Sequence, residues 1–232
     1  MSRLPLVAWD VDKTLIEAGP AGSEIMDVAV SRTLERVLEH EVRFGGKTDP
    51  RIAAEILAAG GVPLPHDGHV ATVLAHLEDV LRERAHLLAE QGRVLPGVRE
   101  TLKRLHDLGA VQTVLTGNIR PNALVKVAAF GLDEFLDLEI GAFGSDHASR
   151  PRLLPLVLER AALKYGHAWT PDRTWVVGDT EFDHECAVAS GARCLLVATG
   201  RVDYDTLSAL GADAVRHDLS DVDAVVSLLS SA

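Results

Sequence analysis

Apolar positions along the chain follow two rhythms. Leu4 to Trp9 is a continuous apolar run of strand length, Thr174 to Val177 is strongly apolar, and Ala110 to Leu115 and Arg193 to Val197 also read as strands. Elsewhere the spacing is helical. From Ser23 to His40 the positions Ile25, Val28, Leu34, Val37 and Leu38 recur at three and four; Pro50 to Ala59 predicts a shorter helix. Val70, Val73, Leu74, Leu77, Val80, Leu81, Leu87 and Leu88 predict a long one, closed near Gln91-Gly92. These three helices bury their stripes against one another as a small bundle, with no cofactor needed to explain them.

At Val94-Leu95-Pro96-Gly97 the punctuation changes the pattern to alternating helix and strand. The predicted order is helix Val98 to Leu108, strand Ala110 to Leu115, helix Asn122 to Phe130, and a short strand Leu138-Glu139-Ile140. Helix Leu153 to Tyr165, strand Thr174 to Val177, a helix to Ser190, strand Arg193 to Val197 and a last βα pair near Asp213 to Leu229 complete it. Right-handed crossovers make such strands parallel with helices on both faces. The expected fold is therefore α/β: a doubly wound parallel Rossmann-like sheet core formed by residues 1–16 and 96–232, with an inserted α-helical domain over residues 17–95, for which the motifs below imply the role of a cap domain.

Composition narrows the possibilities. The 232 residues are 47% hydrophobic, enough for a packed core, and no apolar run approaches a membrane span. A formal charge of −11 without any basic run argues against a nucleic-acid or anionic-membrane partner. Cys186 and Cys194 form no C-x-x-C pair and read as buried small hydrophobes. With no signal-like segment ahead of the first strand, the protein reads as cytoplasmic.

The strands end in chemistry. The first stops at Asp10-Val11-Asp12-Lys13-Thr14, where two carboxylates in extended chain should share a side; either a cation lies between them or one carboxyl titrates abnormally. A polar turn after an edge strand would explain that stretch alone. Yet Thr116-Gly117-Asn118 follows another strand, and Gly178-Asp179-Thr180-Glu181-Phe182-Asp183 a third. All strand carboxyl ends of a parallel sheet lie along one edge, the edge where such sheets bind ligands. A separate loop, Phe44-Gly45-Gly46-Lys47-Thr48-Asp49-Pro50, reads either as a connection, with Thr48 or Asp49 capping the next helix, or as part of a site.

Taken in order, Asp10-Val11-Asp12-Lys13-Thr14, Leu115-Thr116-Gly117-Asn118, a basic residue, and Gly178-Asp179-Thr180-Glu181-Phe182-Asp183 resemble the haloacid dehalogenase-like hydrolase superfamily. The helical insertion resembles the cap of its phosphoglycolate phosphatase-like branch. The resemblance implies a Mg²⁺-dependent phosphatase acting on a small-molecule phosphate monoester through an aspartyl-phosphate. Asp10 would be the nucleophile and Asp12 the general acid and base, and Thr116 with Gly117 and Asn118 would bind the phosphoryl group. Asp10, the backbone carbonyl of Asp12, Asp179 and Asp183 would serve the metal, since Mg²⁺ prefers oxygen donors.

The basic residue falls on Arg150, before Pro151, where relatives usually carry lysine; Arg152 is the alternative. Lys13 stands where glycine is common in the family, either adding charge at the phosphate or pointing to solvent. Lys47 falls on what resembles a specificity loop, which cap closure would bring to the substrate's far end, about hinges near Glu17 to Gly22 and Arg93 to Gly97. Two other readings share these motifs: a phosphomutase of the β-phosphoglucomutase type, and a non-enzymatic phospho-acceptor module. A true dehalogenase needs no acid for its leaving group, so Asp12 argues against one. Neither the identity of the ester nor an oligomeric state is written in the motifs.

Overall fold

The computed structural model describes residues 4–64 and 66–231. Strand β1 (Leu6–Trp9) leads through β2 (Ile16–Glu17) into four helices, α1 (Gly19–Ser23), α2 (Ile25–Leu34), α3 (Asp49–Ala59) and α4 (Asp67–Gln91). After β3 (Arg93–Val94) come α5 (Val98–Asp107), β4 (Val111–Val114), α6 (Arg120–Ala129) and α7 (Leu153–Tyr165). The chain ends with β5 (Thr174–Gly178), α8 (Glu181–Ser190), β6 (Arg193–Val197), α9 (Tyr204–Ser208), β7 (Ala214–Arg216) and α10 (Val222–Ser230).

Five strands pair in the order β4-β1-β5-β6-β7, all parallel. The two-residue period of extended chain divides their side chains between two layers. Leu6 and Ala8 join Val176, Leu196 and the buried faces of α7 and α8; Val7 and Trp9 join Trp175, Val177, Leu195 and the faces of α5, α6 and α10. Helices on both faces of a parallel sheet are the doubly wound arrangement expected. Trp9 and Gln112 interrupt the apolar layer without penalty, because Trp9 Nε1 donates to Gln112 Oε1 at 3.3 Å and Gln112 Nε2 donates to the Leu102 carbonyl at 2.8 Å.

The helical insertion leaves and rejoins the core through β2 and β3, an antiparallel pair of two residues each, with Ile16 opposite Val94 and Glu17 opposite Arg93. Such a pair is too short for periodicity to reveal. Ile25, Met26, Ile52, Ile56, Leu77, Leu81 and Leu88 from the insertion belong to the same apolar cluster as Val7 and Trp9.

Three local expectations change. The helix predicted to His40 stops at Leu34, where Glu35 takes a left-handed φ of 54°, and Val37 is exposed rather than part of a stripe. Leu38 instead packs over Gly60, where a Cβ would meet it at 2.4 Å. Leu138-Glu139-Ile140 is a turn, and pairing there shrinks to a single bridge between Leu115 and Ala142. Helix α9 is an added element, started by Asp203, whose carboxylate accepts from Thr206 N at 2.9 Å.

Candidate active site

Asp10 follows β1 directly, its amide donating to the Val177 carbonyl of β5 at 2.9 Å, so the ladder itself fixes its position. It is 5% exposed. Asp179 follows β5, and Asp183 lies in the first turn of α8. Carboxylate oxygens of Asp10, Asp179 and Asp183 lie within 4.8 Å of one another, and all three residues are buried. Two segments distant in sequence thus deliver three acids to one point at the carboxyl edge of the sheet.

Arg150 enters from the other side. It opens a short helical turn before α7, is 4% exposed, and places Nη2 2.8 Å from Asp10 Oδ1 while donating closely to Asp183 Oδ1. Its backbone is held by Cys186, whose thiol donates to the Arg150 carbonyl at 3.3 Å. Arg152, two residues on, is exposed. Asp183 spends its second oxygen on Thr180, accepting from the amide at 3.1 Å and the hydroxyl at 2.7 Å. It thereby caps α8 and aims Arg150 at once. Gly178 is required beside it: a Cβ there would lie 2.0 Å from the Asp183 carboxyl carbon.

The charge balance of this cluster is incomplete. Three buried carboxylates face one guanidinium, and like charges in low dielectric disfavour ionisation. Burial raises Asp10 to about 6 despite the nearby Arg150, and burial together with Asp10 and Asp183 raises Asp179 to about 9. Their joint ionisation calls for about two further positive charges, in the form of a hard cation with oxygen ligands. The donor set suits a divalent ion such as Mg²⁺. Arg150 is held charged, since Asp183 and Asp10 outweigh the cost of its burial, and its Nε–H is buried with no partner among the described residues.

Asp12 is addressed from the opposite layer. Val7, Trp9 and Val11 keep the strand alternation on the other side of the chain, and the two carboxylates nonetheless meet different partners, Arg150 and Lys126. Lys126 Nζ of α6 donates to Asp12 Oδ2 at 2.6 Å, and Asn118 Nδ2 donates to the same oxygen at 2.7 Å. Burial acts to raise the Asp12 carboxyl, but the Lys126 charge, its hydrogen bond and that of Asn118 hold it below the usual carboxylate range. Thr116 is buried, and its Oγ1 accepts from Asn118 Nδ2 at 2.9 Å and from Asn118 N at 3.3 Å. With its acceptor sites in use, its O–H remains to be donated. Sequence reasoning missed Lys126, because a lysine in the last turn of an amphipathic helix normally reaches solvent.

Lys13 adopts a left-handed φ of 66°, the conformation that favours glycine at this turn. Its amine lies 2.5 Å from Glu17 Oε1. The 44–50 loop is seated on the core through both main-chain and side-chain groups. Asp49 N donates to the Gly117 carbonyl at 2.8 Å, Ile119 N to Asp49 Oδ2 at 2.8 Å, and Arg150 Nη1 to the Gly46 carbonyl at 3.1 Å. Thr48 Oγ1 adds a bond to the Ala148 carbonyl at 2.7 Å. Gly117 makes this approach possible, as a Cβ there would lie 2.0 Å from the Lys47 carbonyl oxygen. Burial raises Asp49 to about 6. The Lys47 amine itself lies 2.5 Å from Glu55 Oε2, within the insertion.

Known proteins share this architecture. A phosphoglycolate phosphatase of Rhodobacter capsulatus is 27% identical over 225 residues, covering 96% of this chain and 96% of its own. The pyrophosphatase PpaX of Halalkalibacterium halodurans is 28% identical over 219 residues, covering 93% of this chain and 94% of its own. Among solved structures, a predicted phosphatase from Clostridium acetobutylicum superposes with a TM-score of 0.72 at 15% identity, covering 97% of this chain and all of that one. Sequence and fold therefore agree with the helical-cap branch that the motifs resemble. Since the haloacid dehalogenase-like hydrolase family profile matches residues 4–191, spanning every motif of the site, the chain belongs to the haloacid dehalogenase-like hydrolases.

Proposed function

We propose that the protein is a Mg²⁺-dependent phosphatase that hydrolyses a small-molecule phosphate monoester through an aspartyl-phosphate on Asp10. The observation that carries this is the division of labour between two carboxylates two residues apart. Asp10 lies in a cluster with Asp179, Asp183 and Arg150 that is short of positive charge; Asp12 is tethered outside it by Lys126 and Asn118. The names of the relatives point the same way.

Asp10, Asp179 and the backbone of Asp12 would hold the cation, with Asp183 beside them. When bound, it supplies the positive charge that offsets repulsion between a carboxylate nucleophile and a phosphate. Asp10 attacks phosphorus while Arg150 and the Thr116 hydroxyl take up charge on the phosphoryl oxygens. Asp12 protonates the departing ester oxygen; the incoming dianion opposes Lys126 and favours the protonated acid at that moment. The resulting Asp12 carboxylate then takes a proton from the water that attacks the aspartyl-phosphate, releasing phosphate and restoring Asp10. Residues 17–95 form the cap, and the seated 44–50 loop excludes bulk water during both steps. On this reading the carboxylates demand an ester small enough to lie beneath that loop.

The test is a screen of phosphate monoesters with added Mg²⁺, comparing wild type with Asp10→Asn. Turnover that disappears with chelator and with the substitution is expected. Turnover that survives Asp10→Asn would exclude Asp10 as the phosphoryl acceptor. Transfer of the group to a sugar hydroxyl, in place of release as phosphate, would mark a mutase instead.

A further inference from the structure

Lys126 is buried where a lysine is costly. It is 4% exposed and shares its helix with Ala123 and Val127, which pack into the apolar cluster. The insertion covers its stem, with Lys126 Cε 3.9 Å from where a side chain at Gly22 would begin. Burying an ammonium is weak as a stability device, since an apolar side chain of similar volume usually serves as well. Its contacts are specific. Nζ donates to Asp12 Oδ2 at 2.6 Å and to Asn118 Oδ1 at 2.7 Å, and Asn118 Nδ2 returns to the same Asp12 oxygen at 2.7 Å. Three side chains close a ring of hydrogen bonds around one oxygen. Asp12 Oδ1 accepts nothing among the described residues.

Resting on the phosphatase reading above, we propose that Lys126 is a positioning residue: with Asn118 it pins Oδ2 of Asp12 and so presents Oδ1 to the reacting oxygens. In the first half-reaction the proton on Oδ1 passes to the ester oxygen as the phosphorus–oxygen bond to the leaving group breaks. In the second, Oδ1 accepts a proton from water as its oxygen bonds to phosphorus and the Asp10–phosphorus bond breaks. Lys126 touches neither substrate nor phosphorus. It acts through Asp12 alone.

Leaving groups separate this role from a structural one. An alkyl phosphate needs its leaving oxygen protonated, whereas 4-nitrophenyl phosphate expels a phenolate that is stable without a proton. The comparison uses 4-nitrophenyl phosphate and the alkyl ester that wild-type enzyme turns over fastest, with kcat/KM reporting the first half-reaction. Lys126→Met is expected to lower kcat/KM at least 50-fold for the alkyl ester and less than fivefold for the aryl ester, within the range general-acid catalysis supplies, about 10²–10⁴. Lys126→Arg should recover part of the alkyl loss. In an Asp12→Asn background, Lys126→Met should change the alkyl value less than threefold. Equal losses on both esters, or a full effect persisting without Asp12, would overturn the role while leaving the phosphatase intact. A wild-type enzyme that hydrolyses neither ester would remove the phosphatase reading and this inference with it. If circular dichroism shows Lys126→Met unfolded, Lys126→Gln, which keeps a donor but no charge, carries the same comparison.

Discussion

Binding of Mg²⁺ should release about one proton at pH 7. Asp179, raised to about 9 by burial and by Asp10 and Asp183, is then two units below its titration point; Asp10, raised to about 6 mainly by burial, is one unit above. The first is about 99% protonated and the second about 10%, and metal binds the ionised carboxylates. Removing the Asp179 proton at pH 7 weakens binding by about two orders of magnitude relative to the fully ionised carboxylate. Affinity should therefore rise about tenfold per pH unit between 6 and 9, and more steeply below 6 as Asp10 also titrates. Isothermal titration of chelator-stripped protein with Mg²⁺, in buffers of different ionisation enthalpy, counts the protons directly. Stability gives a second readout. Asp179 titrates in the folded protein well above its ordinary 3.8, so its contribution to stability of the metal-free protein is complete below that value and lost as pH rises through about 9. The melting temperature in chelator should fall from pH 6 to pH 8.5, and Mg²⁺ should restore more at the upper end. A pH-independent affinity with no proton release would refute the claim that these carboxylates are crowded and shared.

Three further outcomes follow from the seating of the loop. Arg150→Lys keeps a charge for Asp10 but loses the arm that reaches Gly46 at 3.1 Å; a charge-assisted hydrogen bond of about 1.5–3 kcal/mol predicts faster amide exchange at residues 44–49 and a kcat/KM lower by about 10-fold or more. Gly117→Ala drives a methyl group to 2.0 Å from the Lys47 carbonyl oxygen, so the loop must move; a loss of about 1–3 kcal/mol in urea unfolding is expected, whereas an unchanged midpoint would show the loop to be free of the core. Lys47→Ala should raise KM for an ester that fills the cap more than for 4-nitrophenyl phosphate; equal effects would remove Lys47, held by Glu55 in this structure, from substrate contact.

Most of the sheet was legible because buried parallel strands are apolar runs that stop where function starts. Asp10, Asp179 and Asp183 follow from that rule, as does Thr116. What periodicity concealed falls into two kinds. Elements held by a few main-chain hydrogen bonds, such as β2 and β3 or the bridge at Ala142, carry no side-chain rhythm to detect. Charges whose burial is decided by distant partners are the other kind: Lys126 has no acid three or four positions away, unlike Lys103 with Glu100 and Asp107, but that local lack names no partner. Lys126 becomes recognisable only when Asp12, 114 positions earlier, is brought beneath it. Strand alternation groups Asp10 with Asp12 but names no partner for either, so the split between Arg150 and Lys126 could not be read from it.

The apolar cluster that runs without a break from Trp9 through Leu77 and Leu88 constrains how the enzyme can breathe. Swinging the cap wide would wet that seam, so admission of substrate must come from small sliding of helices past one another, with the 44–50 loop lifting from its seat. An enzyme built in this way would exchange its contents slowly. Its turnover would then be governed by the departure of phosphate and alcohol, and loosening the seam at Leu77 or Leu88 should speed the cycle even as it weakens the fold.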